Sequence, residues 1–377
     1  MKILVLGCGL VGRPMALDLA NDKQFKVTIV DKLSENLEKI KHKGIQTARL
    51  DVSNKADLVK TARDFDMILS AVPGSLGFQT LKTLLEHGKR VIDIAFFPEE
   101  LFDLNEVALQ NNALCISDIG VAPGLSNILV AHTARKLDKA SSAKIYVGGL
   151  PKIRTWPWEY KAVFSPADVL EEYTRPARYI ENGRLVVKPA LTEPEYLDFP
   201  DVGTLEAFNS DGLRSLIKTM DLPDMIEKTL RYPGHIDKIR VLKESGFLED
   251  KEIEVGGKAI KPLEVTSKLL FKQWKLNEGE EDLTVMKVIV EGIRNEIPTR
   301  ITYDLYDEYH AETGIHSMAR TTGYTATMAV RLLAEGMFDE TGAHPPEKLA
   351  EKPECVDYIL KGLEERGVRV KEIEKEL

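Results

Sequence analysis

Cysteine is scarce in this chain: Cys8, Cys115 and Cys355 are three among 377 residues. No two share a pairing or ligand-like spacing, which excludes a disulfide framework and a cysteine zinc site and points to a reducing compartment. Long apolar runs are also missing. No stretch approaches the ~20 residues that cross a bilayer as a helix. The first residues already read as a strand, so the expectation is a cytoplasmic protein without leader or membrane association. Positive charge is in deficit: 51 Lys and Arg stand against 60 Asp and Glu, a formal net charge of −9. That excludes a broad nucleic-acid-binding surface. Metal-ligand spacings, internal repeats and low-complexity linkers are absent, and no metal is expected.

What is present begins at Lys2–Asp31. Ile3–Leu6 is a brief apolar run ended by glycine, the pattern of a buried parallel strand. Gly7, Gly9 and Gly12 follow with G-x-G-x-x-G spacing. Leu10, Met15, Ala16 and Leu19 then recur at helical spacing. A second apolar run, Val27–Val30, ends in Asp31, 19 residues after Gly12. Each part has a physical task. Gly7 permits the turn out of the strand, Gly9 lets backbone approach a pyrophosphate, and Gly12 lets helix and strand pack closely. The first amides of the helix face the phosphates, and Asp31 is placed to accept from an adenosine ribose. Leu10, Val11 and Lys32 flank these positions. A carboxylate beside a 2′-phosphate costs on the order of 4 kcal/mol per charge pair at 4 Å in an effective dielectric of about 20. The reading is therefore NAD rather than NADP, with Lys32 offsetting part of that repulsion.

Further strands are expected at Gln46–Leu50, Met67–Val72, Val91–Ile94 and Leu114–Ile119, with Ser53 as N-cap of a helix through Leu58 and helices around Leu76–His87 and Glu99–Asn111. Strands alternating with helices predict an α/β fold that opens with a Rossmann-type, doubly wound parallel sheet. Ligands bind such sheets outside the carboxyl ends of the strands. Asp51, Val52, Ala71, Val72, Pro73, Asp93 and Asp118 are thus expected on one rim, the first six toward the coenzyme. The length implies more than one domain. The expected divisions are 1–122 for the NAD-binding domain, 123–314 for a second α/β (α+β) domain that binds substrate and dimerises, and 315–377 for C-terminal helices packing back on the first. The texture supports this: strand-like Ala143–Val147, aromatics and prolines over Trp156–Phe164, strands at Thr284–Val290 and Arg300–Tyr309, and a long helix from Ser317 carrying small residues.

GCGLVG, SDIGVAPGLSNIL, YVGGLP, EYKAVFS, GTLEAFNSDG, TLRYPGH, MARTTGYT and GAHPP together resemble the saccharopine dehydrogenase superfamily, and within it the lysine 6-dehydrogenases. Saccharopine reductases typically carry an acid in G-L-D-P-G, where this chain has Ala122. The resemblance implies a homodimeric, NAD-dependent enzyme that oxidises the ε-amine of L-lysine to 2-aminoadipate 6-semialdehyde, releasing ammonia. The product cyclises to 1-piperideine-6-carboxylate. The alternative is a reductase joining an amine to a carbonyl compound, as in saccharopine or carboxyspermidine synthesis.

An amine donates hydride only when unprotonated, and free lysine amine has a pKa of about 10.4, so a general base is needed. Asp118 and His235 are the candidates. Asp118 also reads as an acid that caps the helix after Pro123. A substrate carboxylate needs a bidentate cation. Arg231 and Arg320 lie in the family-like blocks, with Tyr232, Thr321 and Thr322 as neutral donors beside them. Glu159, Tyr160 and Asn209 are candidates for the amino group.

Overall fold

The computed structural model describes residues 1–40, 44–162, 166–277 and 279–377. Residues 163–165, the end of EYKAVFS, lie outside them. The chain forms two compact units, Met1–Leu137 with Ala319–Val370, and Asp138–Met318 with Lys371–Leu377.

The first unit is built on a seven-stranded, wholly parallel sheet. Its strands are β1 (Lys2–Leu6), β2 (Lys26–Asp31), β3 (Ile45–Arg49), β4 (Met67–Ser70), β5 (Arg90–Asp93), β6 (Leu114–Ile116) and a late strand, Gly342–His344. Their spatial order is Gly342–His344, β6, β5, β4, β1, β2, β3. Ile3, Leu4, Val5 and Leu6 are all fully buried, as expected where helices cover both faces of a parallel sheet. This is the Rossmann-type, doubly wound arrangement.

Local details depart from the pattern reading. Asn54, not Ser53, caps the helix Lys55–Ala62, accepting from the amides of Ala56 and Asp57. Ser53 instead donates to Asp51. The helix Leu125–Lys136 belongs to the first unit, where it packs on the turn Pro346–Glu351. The long helix Ser317–Ala334 brings Gly323 so close to Met15 that a Cβ there would lie 2.9 Å from the Met15 Cγ.

The second unit carries a mixed nine-stranded sheet. Its main path runs Glu195–Phe199, Gly203–Asn209, Asp224–Arg231, Lys139–Pro151, Asp282–Arg294, Ile297–Glu308 and Val370–Glu376. Asp224–Arg231 pairs in parallel with Lys139–Pro151. Asp282–Arg294 and Ile297–Glu308 form a long antiparallel hairpin. Its two turn residues, Asn295 and Glu296, both have positive φ, at 51° and 68°, which matches the right-handed strand twist. Helices Pro166–Thr174, His235–Glu244 and Pro262–Trp274 enclose a cluster around the fully buried Tyr173 and Trp274. The charged tail, read from its composition as part of a helical C-terminal region, ends as a strand. Leu377 N–H donates to Pro298 O at 2.8 Å, and Arg294 pairs with Glu374 at 2.7 Å.

Candidate active site

The strands of the first sheet are parallel, so the segments following them share one rim. Gly7–Gly12 follow β1, Asp31 and Lys32 end and follow β2, Asp51 and Val52 follow β3, and Ala71–Pro73 follow β4. Gly7 has φ +94°, and a Cβ on it would sit 2.6 Å from Ala71 O. On Gly12 a Cβ would lie 2.0 Å from Gly7 O. Gly9 differs: no atom lies within 4 Å of where its Cβ would be. The first turn of the helix Gly12–Ala20 has no side-chain cap and no acid. An open glycine in front of uncapped helix amides suits a pyrophosphate, so the residues present fit a dinucleotide.

Asp31 is fixed at the rim by two backbone donors, Cys8 N–H to Oδ2 and Leu33 N–H to Oδ1, both at 2.8 Å. Each oxygen retains a lone pair for a ribose hydroxyl. Burial first, and then the Asp31 charge, push the Cys8 thiol up to about 11. Cys8 is therefore a small loop side chain and not a thiolate nucleophile.

Asp93 corrects one expectation. It ends β5 but is fully buried, so it lies beneath the rim and not on its surface. Ser117 Oγ donates to its Oδ2 at 3.0 Å. Its Oδ1 and the Ser70 hydroxyl, on the register partner in β4, have no hydrogen-bond partner among the described residues. Burial, opposed by the Ser117 hydrogen bond and reinforced by the charge of Asp118, raises its carboxyl to about 7. Asp118 follows β6 with φ +57° and is 5% exposed. Beyond it, the turn Gly120–Gly124 is closed by Gly120 N–H to Pro123 O at 3.0 Å and Leu125 N–H to Gly120 O at 2.9 Å. Thr322 rests on this turn, its methyl 3.2 Å from where a Gly120 Cβ would be. Thr321 is fully buried on the same helix. Arg320 is buried too, and its guanidinium donates to Arg366 O at 3.1 Å.

In the second unit Tyr160, Arg231 and His235 come together, with partners that local pattern does not reveal. Arg231 is 2% exposed. It pairs with Glu172 at 2.6 Å and donates to Tyr173 Oη at 3.1 Å and Leu230 O at 2.9 Å, with its Cζ 4.4 Å from the Tyr160 ring centroid. The fork expected to hold a substrate carboxylate is thus taken by Glu172. Because Arg231 donates to Tyr173 Oη, the Tyr173 hydroxyl hydrogen goes to His235 Nε2, 2.9 Å away. Nδ1–H then donates to Trp158 O at 2.9 Å. Burial, helped by the Arg231 charge, pushes His235 down to about 3. With both nitrogens engaged and the ring held neutral, His235 is a core imidazole and not an available base.

Glu159 accepts from Arg154 Nε at 2.7 Å, and Arg154 lies over the Tyr232 ring at 4.7 Å. Tyr232 Oη donates to Pro151 O at 3.0 Å. Asn209 bonds elsewhere, to Thr192 at 3.2 Å and Glu193 at 2.8 Å. The residues that pattern reasoning missed are Glu172, Tyr173 and Ser117. Nothing in the local sequence around Glu172 and Tyr173 marks them as partners of Arg231, 59 and 58 residues away. Among the described residues, no cluster of three or more His, Cys, Asp or Glu could hold a metal.

The model of the saccharopine dehydrogenase NADP binding domain matches residues 3–144, and that of the saccharopine dehydrogenase C-terminal domain matches residues 120–368. The chain belongs to the saccharopine dehydrogenase family. The saccharopine dehydrogenase [NADP(+), L-glutamate-forming] of Schizosaccharomyces pombe is 24% identical, over 98% of both chains. A carboxyaminopropylagmatine dehydrogenase from Synechocystis sp. is 21% identical, over 93% of this chain and 94% of its own. The apo saccharopine dehydrogenase (L-Glu forming) structure from Saccharomyces cerevisiae covers 99% of both chains with a TM-score of 0.81 and 21% identity. That structural likeness establishes the fold.

Proposed function

We propose that this saccharopine dehydrogenase family member is an NAD-dependent lysine 6-dehydrogenase that oxidises the ε-amine of L-lysine to 2-aminoadipate 6-semialdehyde and releases ammonia. The observation carrying this reading is Ala122, in the tight turn Gly120–Gly124 beside Asp118, where saccharopine reductases typically have an acid. The absence of that acid weakens a saccharopine-forming role and favours the lysine 6-dehydrogenase reading. NAD, when bound, supplies the hydride acceptor. The glycine loop and helix amides hold its pyrophosphate, and Asp31 holds the ribose. Asp118 takes a proton from the ε-ammonium, leaving the amine lone pair free to drive hydride departure from its carbon. Asp93, its carboxyl raised to about 7 by burial, carries less than a full charge at neutral pH. Water then replaces the nitrogen, giving aldehyde and ammonium. A cytoplasmic homodimer is part of the same proposal.

A second reading is favoured by the relatives found: a reductase that joins an amine to a carbonyl compound. An NADH-formation screen over lysine, ornithine, saccharopine and simple diamines separates the two. Lysine as the best donor, with ammonia as co-product, is the expected result. Turnover confined to saccharopine, or to aldehyde, amine and NADPH supplied together, establishes the second reading.

A further inference from the structure

The carboxyl ends of β5 and β6 bring two acids together, Asp93 and Asp118. Asp93 closes β5 and is fully buried. Ile119 N–H donates to the Asp93 carbonyl at 3.2 Å, which draws the segment carrying Asp118 alongside it. The titratable groups facing Asp93 are the Asp118 carboxyl and, from β6, the Cys115 thiol. Burial and then the Asp93 charge push that thiol well up, so it stays protonated. β4 presents the Ser70 hydroxyl at the register position of Asp93. Among the described residues, Asp93 makes no ion pair with a lysine, arginine or histidine. Its Oδ1 and the Ser70 hydroxyl, both buried, have no hydrogen-bond partner among them either. A buried carboxyl beside a second acid, one oxygen unbonded and no cation paired to it, is poised to respond to a positive charge brought from outside.

We propose that Asp93 compensates the charge of the coenzyme's nicotinamide ring: it is ionised when the bound ring is oxidised and cationic, and protonated when the bound ring is reduced and neutral. This rests on the dinucleotide reading of the glycine loop. With the adenosine ribose assigned to Asp31 at β2, the nicotinamide half falls on the β4–β6 side of the crevice. Asp93 lies beneath that side of the rim and acts by charge alone. Water does not reach it, so a charge above it is weakly screened. An opposite charge favours the carboxylate. The oxidised coenzyme therefore binds with loss of a proton from Asp93, and Asp93 regains a proton once the ring charge is gone. The site thereby favours the oxidised form increasingly as pH rises through about 7.

The test is calorimetric titration of NAD and of NADH into the full chain and into Asp93→Asn, in two buffers of different ionisation enthalpy, from pH 5.5 to 8.5. Wild type is expected to release protons on binding NAD near pH 7 and none on binding NADH, which has the same phosphates and a neutral ring. Its NAD affinity is expected to rise at least about fivefold over that range, since a nearby opposite charge lowers a carboxyl by about one unit or more and one unit is about tenfold. Asp93→Asn is expected to bind NAD without proton release and with a flat pH profile. Asp51, held below the ordinary carboxylate range by its Ser53 hydrogen bonds, and Cys8, at about 11, titrate outside this window. Equal proton release with both coenzymes, or none with NAD, overturns the proposal on wild type alone, whether or not the variant folds. A pH profile that survives in Asp93→Asn assigns the titration to Asp118 and overturns it too. Binding of neither coenzyme overturns the NAD reading itself. No amine is present in these titrations, so they stand apart from whether lysine is the substrate.

Discussion

Gly9 and Gly12 look alike in sequence and differ in what surrounds them. Gly9→Val places its side chain in open space. It is expected to fold with an unchanged melting temperature and to lose dinucleotide affinity, measured by titration. Gly12→Val drives a side chain into Gly7 O and is expected to lower the melting temperature itself. Asp118→Asn removes the proposed base. Its kcat with lysine is expected to fall at least about a hundredfold while coenzyme binding persists; near-normal turnover would place the base elsewhere. At this scale the placement of the glycine loop, Asp31 and Asp51 along one rim was legible, because the spacing that sets it is short. The role of Arg231 was not. Its ion-pair partner Glu172 is 59 residues away, and whether an arginine is free or already paired depends on packing that spacing does not encode.

Among elements, Asp18 on the helix Gly12–Ala20 ties two later segments of the first unit to it. Arg331, on the helix Ser317–Ala334, reaches it at 2.7 Å, and Arg366, just past the helix Pro353–Glu365, reaches it at 2.8 Å. Asp18→Ala leaves the nearly buried Arg331 without this partner and is expected to cost ~3–5 kcal/mol in a denaturant melt. In the second unit, Glu227 on the strand Asp224–Arg231 holds the loop after Asn209. It accepts from Ser210 Oγ at 2.7 Å and Gly212 N–H at 3.1 Å. Burial raises its carboxyl to about 8, against an ordinary 4.5. The folded state therefore keeps a proton that the unfolded state releases above its lower pKa. The associated stability is full below about 4.5 and is lost as pH rises through about 8. Glu227→Gln has no such proton to lose. Its melting temperature is expected to gain on wild type between pH 5 and 9, and parallel curves would contradict that assignment. In the first unit most helices and strands were legible from periodicity, whereas in the second the elements between Pro166 and Trp274 were not read. Nor was the strand Val370–Glu376, because its charged sequence has little apolar alternation and is held at a sheet edge by backbone and ion-pair contacts.

For the whole molecule, the alternation of strand and helix was enough to predict the parallel sheet, since a buried parallel strand has few other sequence solutions. The return of Gly342–His344 to that sheet and the split of the C-terminal segment between two units were hidden. A three-residue strand carries almost no periodic signal. The function proposed above requires that the chain oxidise a primary amine. The most direct measurement is the stoichiometry of NADH, ammonia and semialdehyde from L-lysine and NAD with the purified chain. The account predicts all three in equal amounts, with no added carbonyl compound. NADH formed from saccharopine alone, with glutamate and no ammonia, would contradict it.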